Sequence, residues 1–556
     1  MRKRKPFRPP VAILPLAILA CAALPGHLPD AESITVNHVQ SAELLLGLEF
    51  TEAERDSMIE GLGQQRENYE ALRAVPLKNG TSPAILFDPI PGDLLLDTVQ
   101  IGLRQSEEGP ADRPRDLEEL AFASIGRLGA LLRSRGVTSV ELTRMYLDRL
   151  ERYGPELHCV ITLTEGLAME QARKADAELA SGTDRGPLHG IPYGAKDLLS
   201  TRGIRTTWGA EPFKDQVFDE DATVVRRLAD AGAVLVAKLS VGALAWGDVW
   251  FGGKTRNPWN LDQGSSGSSA GSAAATAAGL VAFSIGTETW GSIVSPSSRC
   301  GVTGLRPTFG RVSRYGVMAL AWSMDKIGPI CRTVEDCALV FDAIRGPDGK
   351  DPSVVNASFA YAPRGSLEGL RIGYLKDDID SSASRENDLA ALDVLKRLGA
   401  TLVPLEIPRY PVKPLGIILT AEAGAAFDEL TRSGRDDLLV RQIKNAWPNV
   451  FRQSRFIPAV EYIQANRIRT LLIEEMASRM ESVDLYVAPS LEGENLLLTN
   501  LTGHPCVVLP NGFNEAGSPT SISFTGQLYG EAELLAVSKV YQDATDFHLL
   551  HPPLPE

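Results

Sequence analysis

Between Gly264 and Gly304 the chain gives up side-chain bulk almost entirely. The stretch begins GSSGSSAGSAAATAAGL and continues VAFSIGTETWGSIVSPSSRCG, so serine, glycine and alanine dominate it. Ser272 to Ala278 is a run of small, helix-tolerant residues ended by Gly279, Leu280 to Ile285 is an apolar strand, and the glycine-rich loop Gly286 to Gly291 delivers Ser292. A helix of about ten residues is ~15 Å long, and an extended run of five or six returns about the same distance. The chain goes out and comes back. Ser292 is therefore expected near the start of the helix, beside Ser268 and Ser269, on backbone made approachable by glycine and at a positive helix end that welcomes negative charge. Seen alone, the same stretch serves equally well to pack a helix close against a sheet.

The surrounding sequence alternates helix and strand signals. Thr138-Ser139-Val140-Glu141 is a capping box opening a helix that Gly154 is expected to close. Val224, Val225 and Leu228 mark another, stopped by Gly232 and followed by the strand Val234 to Ala237. Leu370 to Leu375, a helix through Leu389 to Leu398, and Thr401 to Leu405 repeat the pattern, and apolar runs at Leu485 to Ala488, Cys506 to Leu509 and Ile522 to Phe524 add later strands. Such alternation argues for an α/β fold, a wound sheet covered by helices on both faces. Before it, residues 38–75 carry helical apolar spacing and read as an arm, joined to the main body by the charged linker Gln105 to Glu118. The expected organisation is an export signal over 1–26, a helical arm and linker over 27–110, and one large domain over 111–556.

A net charge of -14 would repel a phosphate backbone, so nucleic acid is not an expected partner. The basic cluster Arg2 to Lys5 with Arg8 precedes the uncharged stretch Val11 to Leu24, an order that reads as a signal peptide and an exported, periplasmic or secreted chain. The stretch is shorter than the roughly 20 residues that span a bilayer, so no stable membrane span is expected once the signal is removed, with anchoring as the alternative. Ile18-Leu19-Ala20-Cys21 loosely resembles a lipidation box, although Leu19 is large for one. The remaining cysteines, Cys159, Cys300, Cys331, Cys337 and Cys506, match no zinc spacing and read as buried thiols; no metal is expected.

A serine hydroxyl is a poor nucleophile until a neighbour takes its proton, and the usual neighbour is a histidine backed by a carboxylate. His158, His189 and His504 lack a carboxylate neighbour in sequence. A lysine serves if burial in an apolar site lowers its pKa, because desolvation disfavours the ammonium. Lys196, within the apolar and glycine-bearing Gly190-Ile191-Pro192-Tyr193-Gly194-Ala195-Lys196-Asp197, is the better candidate because the setting is unlike a solvated face, and Lys238, at the end of Val234-Leu235-Val236-Ala237, is the competitor.

These segments together resemble the amidase signature family, whose core is a Gly/Ser-rich segment followed by a GTD-x-GGS-I loop, with a GxKD-type lysine segment upstream. The resemblance covers about residues 120 to 545 and includes Asn257-Pro258-Trp259-Asn260, Gly304-Leu305-Arg306-Pro307-Thr308, Asn500-Leu501-Thr502-Gly503 and the last helix from Glu531 to Tyr541. It implies a large mixed twisted sheet and a Ser, cis-Ser, Lys triad that needs no cofactor and acts on a small-molecule amide. Carried over, Ser292 in Gly286-Thr287-Glu288-Thr289-Trp290-Gly291-Ser292-Ile293 is the nucleophile and Lys196 the base. The family's bridging serine lies 24 positions before the nucleophile, and 292 minus 24 gives Ser268. The backbone N–H groups of Thr289, Trp290 and Gly291 are then the oxyanion hole, with Ser269 and Trp290 on the substrate side. The chain departs from the family pattern at Trp290, usually glycine, and Val294, usually arginine; the GTETxGSI wording is nearer the peptide amidase branch than the glutamine amidotransferase subunits.

Other readings use the same residues. Gly267-Ser268-Ser269-Ala270-Gly271 spells the G-x-S-x-G elbow of an α/β-hydrolase, but the preceding Asn257 to Gln263 is polar and proline-bearing where an elbow needs an apolar strand. Gly252-Gly253-Lys254-Thr255 brushes against a phosphate loop, yet Asp248 occupies its first glycine position. A non-catalytic binder on the same scaffold, and an ammonia-producing subunit of a tRNA amidotransferase, are the remaining alternatives; the export signal and acidic surface speak against the latter.

Overall fold

Val234, Leu235 and Val236 send successive side chains to opposite sides of a strand, and both sides meet apolar partners. Val234 and Val236 join a cluster with Ala273, Ala274 and Val281, while Leu235 joins the larger one with Ile285, Leu305 and Val507. A strand buried on both faces requires helices on both faces, which is the arrangement found. The computed structural model describes residues 33–92, 94–109 and 111–554. The export signal expected over 1–26, with Cys21, lies outside the described residues.

Eleven strands form one sheet: β1 (Val160–Leu163), β2 (Pro192–Lys196), β3 (Val234–Leu239), β4 (Phe283–Glu288), β5 (Thr303–Arg306), β6 (Lys326–Cys331), β7 (Arg371–Tyr374), β8 (Thr401–Pro404), β9 (Leu485–Pro489), β10 (Cys506–Phe513) and β11 (Pro519–Gly526). Their spatial order is β1-β3-β2-β4-β6-β5-β10-β11-β9-β7-β8. The β3/β2, β2/β4, β9/β7 and β7/β8 pairs are parallel and the others antiparallel, so the sheet is mixed. β2 lies between β3 and β4, with Ala195 opposite both Lys238 and Ile285. That register brings the end of β2 beside the end of β4.

The chain divides into two compact units at Pro76 and Leu77. In the first, helices Val36–Leu46 and Glu52–Arg73 are each opened by a threonine capping box, at Thr35 and Thr51, and Gly47 between them adopts a left-handed φ of 65°. Arg55 and Glu43 join the pair at 2.7 Å. The second unit holds the sheet. Among the described residues, no helix is long and apolar enough to cross a membrane, and the five cysteines from Cys159 onward are buried and free.

Two sequence expectations need correction. The helix capped by Thr138 does not stop at Gly154 but runs Ser139–Leu157, through Pro155, to a left-handed cap at His158. Gly154 is there for space: a Cβ on it would lie 3.1 Å from the Val160 side chain on β1. The strand after the alanine helix starts later than Leu280 and continues through Gly286 to Glu288, so only residues 289–292 form the loop. Gly286 stays in the strand because Ser269 crosses it; a Cβ would sit 2.8 Å from the Ser269 hydroxyl.

The alanine helix Ala270–Ala277 is buried along its whole length and lies almost against backbone. A Cβ on Gly271 would meet the Cys159 carbonyl oxygen and the Ser240 nitrogen, both at 2.4 Å. Neither atom can swing away as a side chain would. Gly271→Ala is therefore expected to destabilise the fold by about 1–3 kcal/mol, read as a lowered midpoint in denaturant unfolding.

Candidate active site

Lys196 is the last residue of β2 and is fully buried. Its Nζ lies 2.9 Å from Ser268 Oγ, 3.0 Å from Ser269 Oγ, 2.8 Å from Thr287 Oγ1 and 3.2 Å from the Thr287 carbonyl. Hydroxyls and one carbonyl surround it. Burial pushes its pKa well below the usual 10.5, and the more distant charges of Asp325 and Glu288 only partly oppose the shift. A lysine so placed favours the neutral amine.

Lys238 has the opposite surroundings. It forms a 3.0 Å ion pair with Asp197 and donates to the Leu199 carbonyl and to Thr206 Oγ1 at 2.8 and 2.7 Å. Burial lowers its pKa too, but the adjacent Asp197 carboxylate pushes back. Adjacent residues on a strand point to opposite faces, so Lys196 and Asp197 serve two separate networks. Only Lys196 is hydrogen-bonded to the serines.

The expected convergence of serines is present. The Ser269 N–H donates to the Ser292 carbonyl at 3.1 Å, tying the start of the alanine helix to the end of the 289–292 loop. The Gly267–Ser268 peptide is cis. Ser269 is fully buried; its hydroxyl donates to the Thr287 carbonyl at 3.1 Å and accepts from the Thr287 N–H at 3.2 Å. It therefore pins the helix to β4 as well as touching Lys196. Ser292 retains slight exposure, 8%, and among the described residues its hydroxyl has no hydrogen-bond partner.

Glu288, which sequence reasoning passed over, fixes this loop. Its Oε2 accepts from the N–H groups of Ile293 and Val294 at 2.8 and 2.9 Å, while Oε1 receives Arg306 at 2.9 Å and Asn500 Nδ2 at 2.8 Å. Burial alone would raise its pKa, but the Arg306 charge and the donated N–H bonds overcome that and hold it at about 2. The available signal was an acid ending a strand that is otherwise uncharged. With Ile293 and Val294 so occupied, the N–H groups of Thr289, Trp290 and Gly291 are left without backbone acceptors among the described residues. Gly291 has φ 83°. The Thr289 hydroxyl donates to Asp325 Oδ1 at 2.5 Å, and Asp325 Oδ2 accepts from Leu320 and Ala321 N–H.

The two departures from the family pattern have different placements. Trp290 is 47% exposed. Val294 is fully buried in a small cluster with Cys506, Val508 and Leu496, so its side chain belongs to packing beneath the loop. Of the histidines, His189 does meet a carboxylate in space, Glu178 at 3.1 Å, which also pairs with Arg185. His504 is bonded to Thr502 at 2.8 Å and burial drops its pKa to about 3. Neither is hydrogen-bonded to Ser268, Ser269 or Ser292. Among the described residues no cluster of three or more acids, histidines and cysteines is placed to hold a metal ion.

A buried lysine grouped with serines at the ends of adjacent strands in a large mixed sheet defines a class, and comparison with known proteins agrees. The chain belongs to the amidase family, whose model matches residues 141–535. It is 36% identical to a glutamyl-tRNA(Gln) amidotransferase subunit from Roseiflexus sp. (strain RS-1), over 77% of this chain and 97% of that protein. Among solved structures it is similar to the peptide amidase of Stenotrophomonas maltophilia, with TM-score 0.68 and 29% identity over 79% of this chain and 99% of that one. It is also similar to a glutamyl-tRNA(Gln) amidotransferase subunit from Thermotoga maritima, with TM-score 0.67 and 26% identity over 80% and 99%. The mixed sheet and helical N-terminal region agree with the sequence expectation, and the chain is an amidase-family enzyme.

Glu288→Gln keeps the volume but leaves Arg306 without its counter-charge. It is expected to cost about 3 kcal/mol of stability near neutral pH. Because the folded pKa is depressed, this contribution is complete above the usual value near 4.5 and is lost as pH falls through about 2. Unfolding curves of the two proteins should therefore converge across that acid window.

Proposed function

We propose that the chain cleaves a carboxylic amide through a serine acyl-enzyme. Neutral Lys196 takes the proton of the Ser268 hydroxyl, Ser268 takes that of Ser292, and Ser292 Oγ attacks the amide carbonyl carbon. The free N–H groups of Thr289, Trp290 and Gly291 receive the developing oxyanion. When the C–N bond breaks, the proton passes back through Ser268 to the leaving nitrogen and ammonia or an amine departs. Water, deprotonated by the same relay, attacks the ester, releases the acid and restores Ser292. The reading is carried by one observation: the Lys196 amine sits 2.9 Å from Ser268 Oγ, fully buried and surrounded by hydroxyls rather than carboxylates.

The curated relatives favour a second reading. They are named as amidotransferase subunits, and the similarity spans nearly the whole of the Roseiflexus protein. In that reading the acyl-enzyme forms in the same way, but the ammonia passes to a partner's active site. The export signal expected from the sequence of residues 1–26 would, if it acts, separate the chain from charged tRNA and so weigh toward plain hydrolysis. Co-purification with a partner protein, and ammonia release dependent on that partner, would establish the transfer reading instead.

Ser292→Ala is expected to lower amide turnover by at least about a thousandfold and to abolish labelling by a fluorophosphonate probe while leaving the unfolding midpoint in place. Retained turnover rejects the assignment. A base that must be neutral works only above its pKa, so kcat/KM for amide hydrolysis should rise with pH through the depressed lysine pKa and then level off. A profile falling over that range would mean that the ammonium form is the active one.

A further inference from the structure

Upstream of the family-matched residues, positions 77–92 run along the second unit as a strap. Asn79 clamps it in place: Nδ2 donates to the Ala319 carbonyl at 2.9 Å and Oδ1 accepts from the Ala319 N–H at 2.7 Å. Phe87 packs edge-on against Phe309, with ring centroids 5.0 Å apart, and lies beneath the Arg469 guanidinium at 3.4 Å. The strap borders two adjoining cavities. The inner one, about 60 Å³, reaches Thr287 and Thr289, the residues on either side of Glu288. The outer one, about 470 Å³, is walled by Ile85, Leu86 and Phe87 of the strap and by Ile463 and Ile473. Ser82, Arg314 and Trp322 border both.

The buried ionisable groups around these cavities have partners within the protein, and Lys326, on the inner one, donates to the Met324 carbonyl while burial pushes its pKa well below the usual 10.5 and so disfavours its ammonium form. Arg314 pairs with Asp351 at 2.9 Å. Arg469 donates to the Leu501 carbonyl and to Ser323, and Glu422 accepts from Ser323 and Tyr462. Asp325 is held by Thr289, Leu320 and Ala321. Among the described residues that border the cavities, one buried side-chain polar atom lacks a partner: the indole Nε1 of Trp322, a residue that lines both. A buried donor left unpaired calls for an acceptor.

We propose that the strap and Trp322 are specificity determinants, forming a channel for a neutral amide that bears a second carbonyl and an apolar or aromatic tail. The inference rests on the serine chemistry proposed above for its reacting end. The inner cavity has room for a few water-sized groups and takes the slim segment next to the scissile amide. The second carbonyl accepts the Trp322 N–H. The tail fills the outer chamber against Ile463, Ile473 and the strap, where burying a ring is favourable. No charge on the ligand is required, which separates this substrate class from a free amino acid.

Three amides test it. N-phenylacetylglycinamide has both features, 5-phenylpentanamide keeps the length and ring but lacks the second carbonyl, and N-acetylglycinamide keeps that carbonyl but lacks the ring. The first is expected to exceed each of the others roughly tenfold in kcat/KM. Trp322→Phe should remove its advantage over 5-phenylpentanamide, and Phe87→Ala, with Phe87→Leu as a variant gentler on the fold, should narrow its advantage over N-acetylglycinamide. Titration calorimetry on Ser292→Ala should rank the three dissociation constants in the same order. That ranking without turnover in the parent protein would reject the acyl-enzyme and keep the channel. Equal affinities, or preferences unmoved by the Trp322 and Phe87 variants, would overturn the channel.

Discussion

Lys196 is surrounded by groups that bond to its nitrogen without supplying the negative charge an ammonium would need, and the rest of the site depends on that environment. Ser268, Ser269 and Thr287 hold the nitrogen in place. The two nearest acids that act on it, Asp325 and Glu288, are each committed elsewhere, Asp325 to Thr289 and two backbone N–H groups, Glu288 to Arg306, Asn500 and the loop. One position along the chain, Asp197 takes Lys238 as its counter-charge on the other face. Strand alternation thus lets two buried lysines lie close in the sheet with different charge preferences.

That environment requires backbone to come close to backbone. Gly271 and Gly286 are where side chains had to be absent for the alanine helix to reach the sheet and for Ser269 to reach β4. Once there, the Ser269 N–H holds the Ser292 carbonyl, and Glu288 holds the two residues that follow Ser292. The loop between these anchors keeps its own N–H groups free. Serine-rich sequence and small-residue packing are therefore two aspects of one structure.

Much of this was legible in the sequence. Alternating apolar runs and caps gave the layered α/β class, and the out-and-back length of Gly264 to Ser292 placed the serines together. The sequence favoured Lys196 over Lys238 only by its apolar setting, because the decisive difference lies in Asp197 and Thr206, partners supplied to Lys238 by the sheet register and a distant loop. Glu288 was missed because Asn500 approaches from 212 residues downstream and Arg306, although near in sequence, is brought to it only by the order of strands in the sheet. Gly154 was read as a stop signal when its use is the space it leaves for Val160. The cavity walls were equally illegible: residues 77–92 carry only loop signals, and the segments they face lie hundreds of residues downstream.

The distances along the chain also bear on how such a site comes together. Ser268 and Ser292 are separated by 24 positions (292 minus 268), so closing the Ser269–Ser292 contact costs little loop entropy. Lys196 is 72 residues from Ser268, and Asn500 is 212 residues from Glu288. Local closure is inexpensive and remote closure slow, since loop entropy is spent before distant contacts return anything. The serine turn can therefore be shaped by its own sequence, while the lysine's altered basicity and the glutamate's fixed charge exist only after the sheet has closed around them. The serine cluster is a local product of the chain, and the charge environment of the lysine beside it is a property of the finished fold.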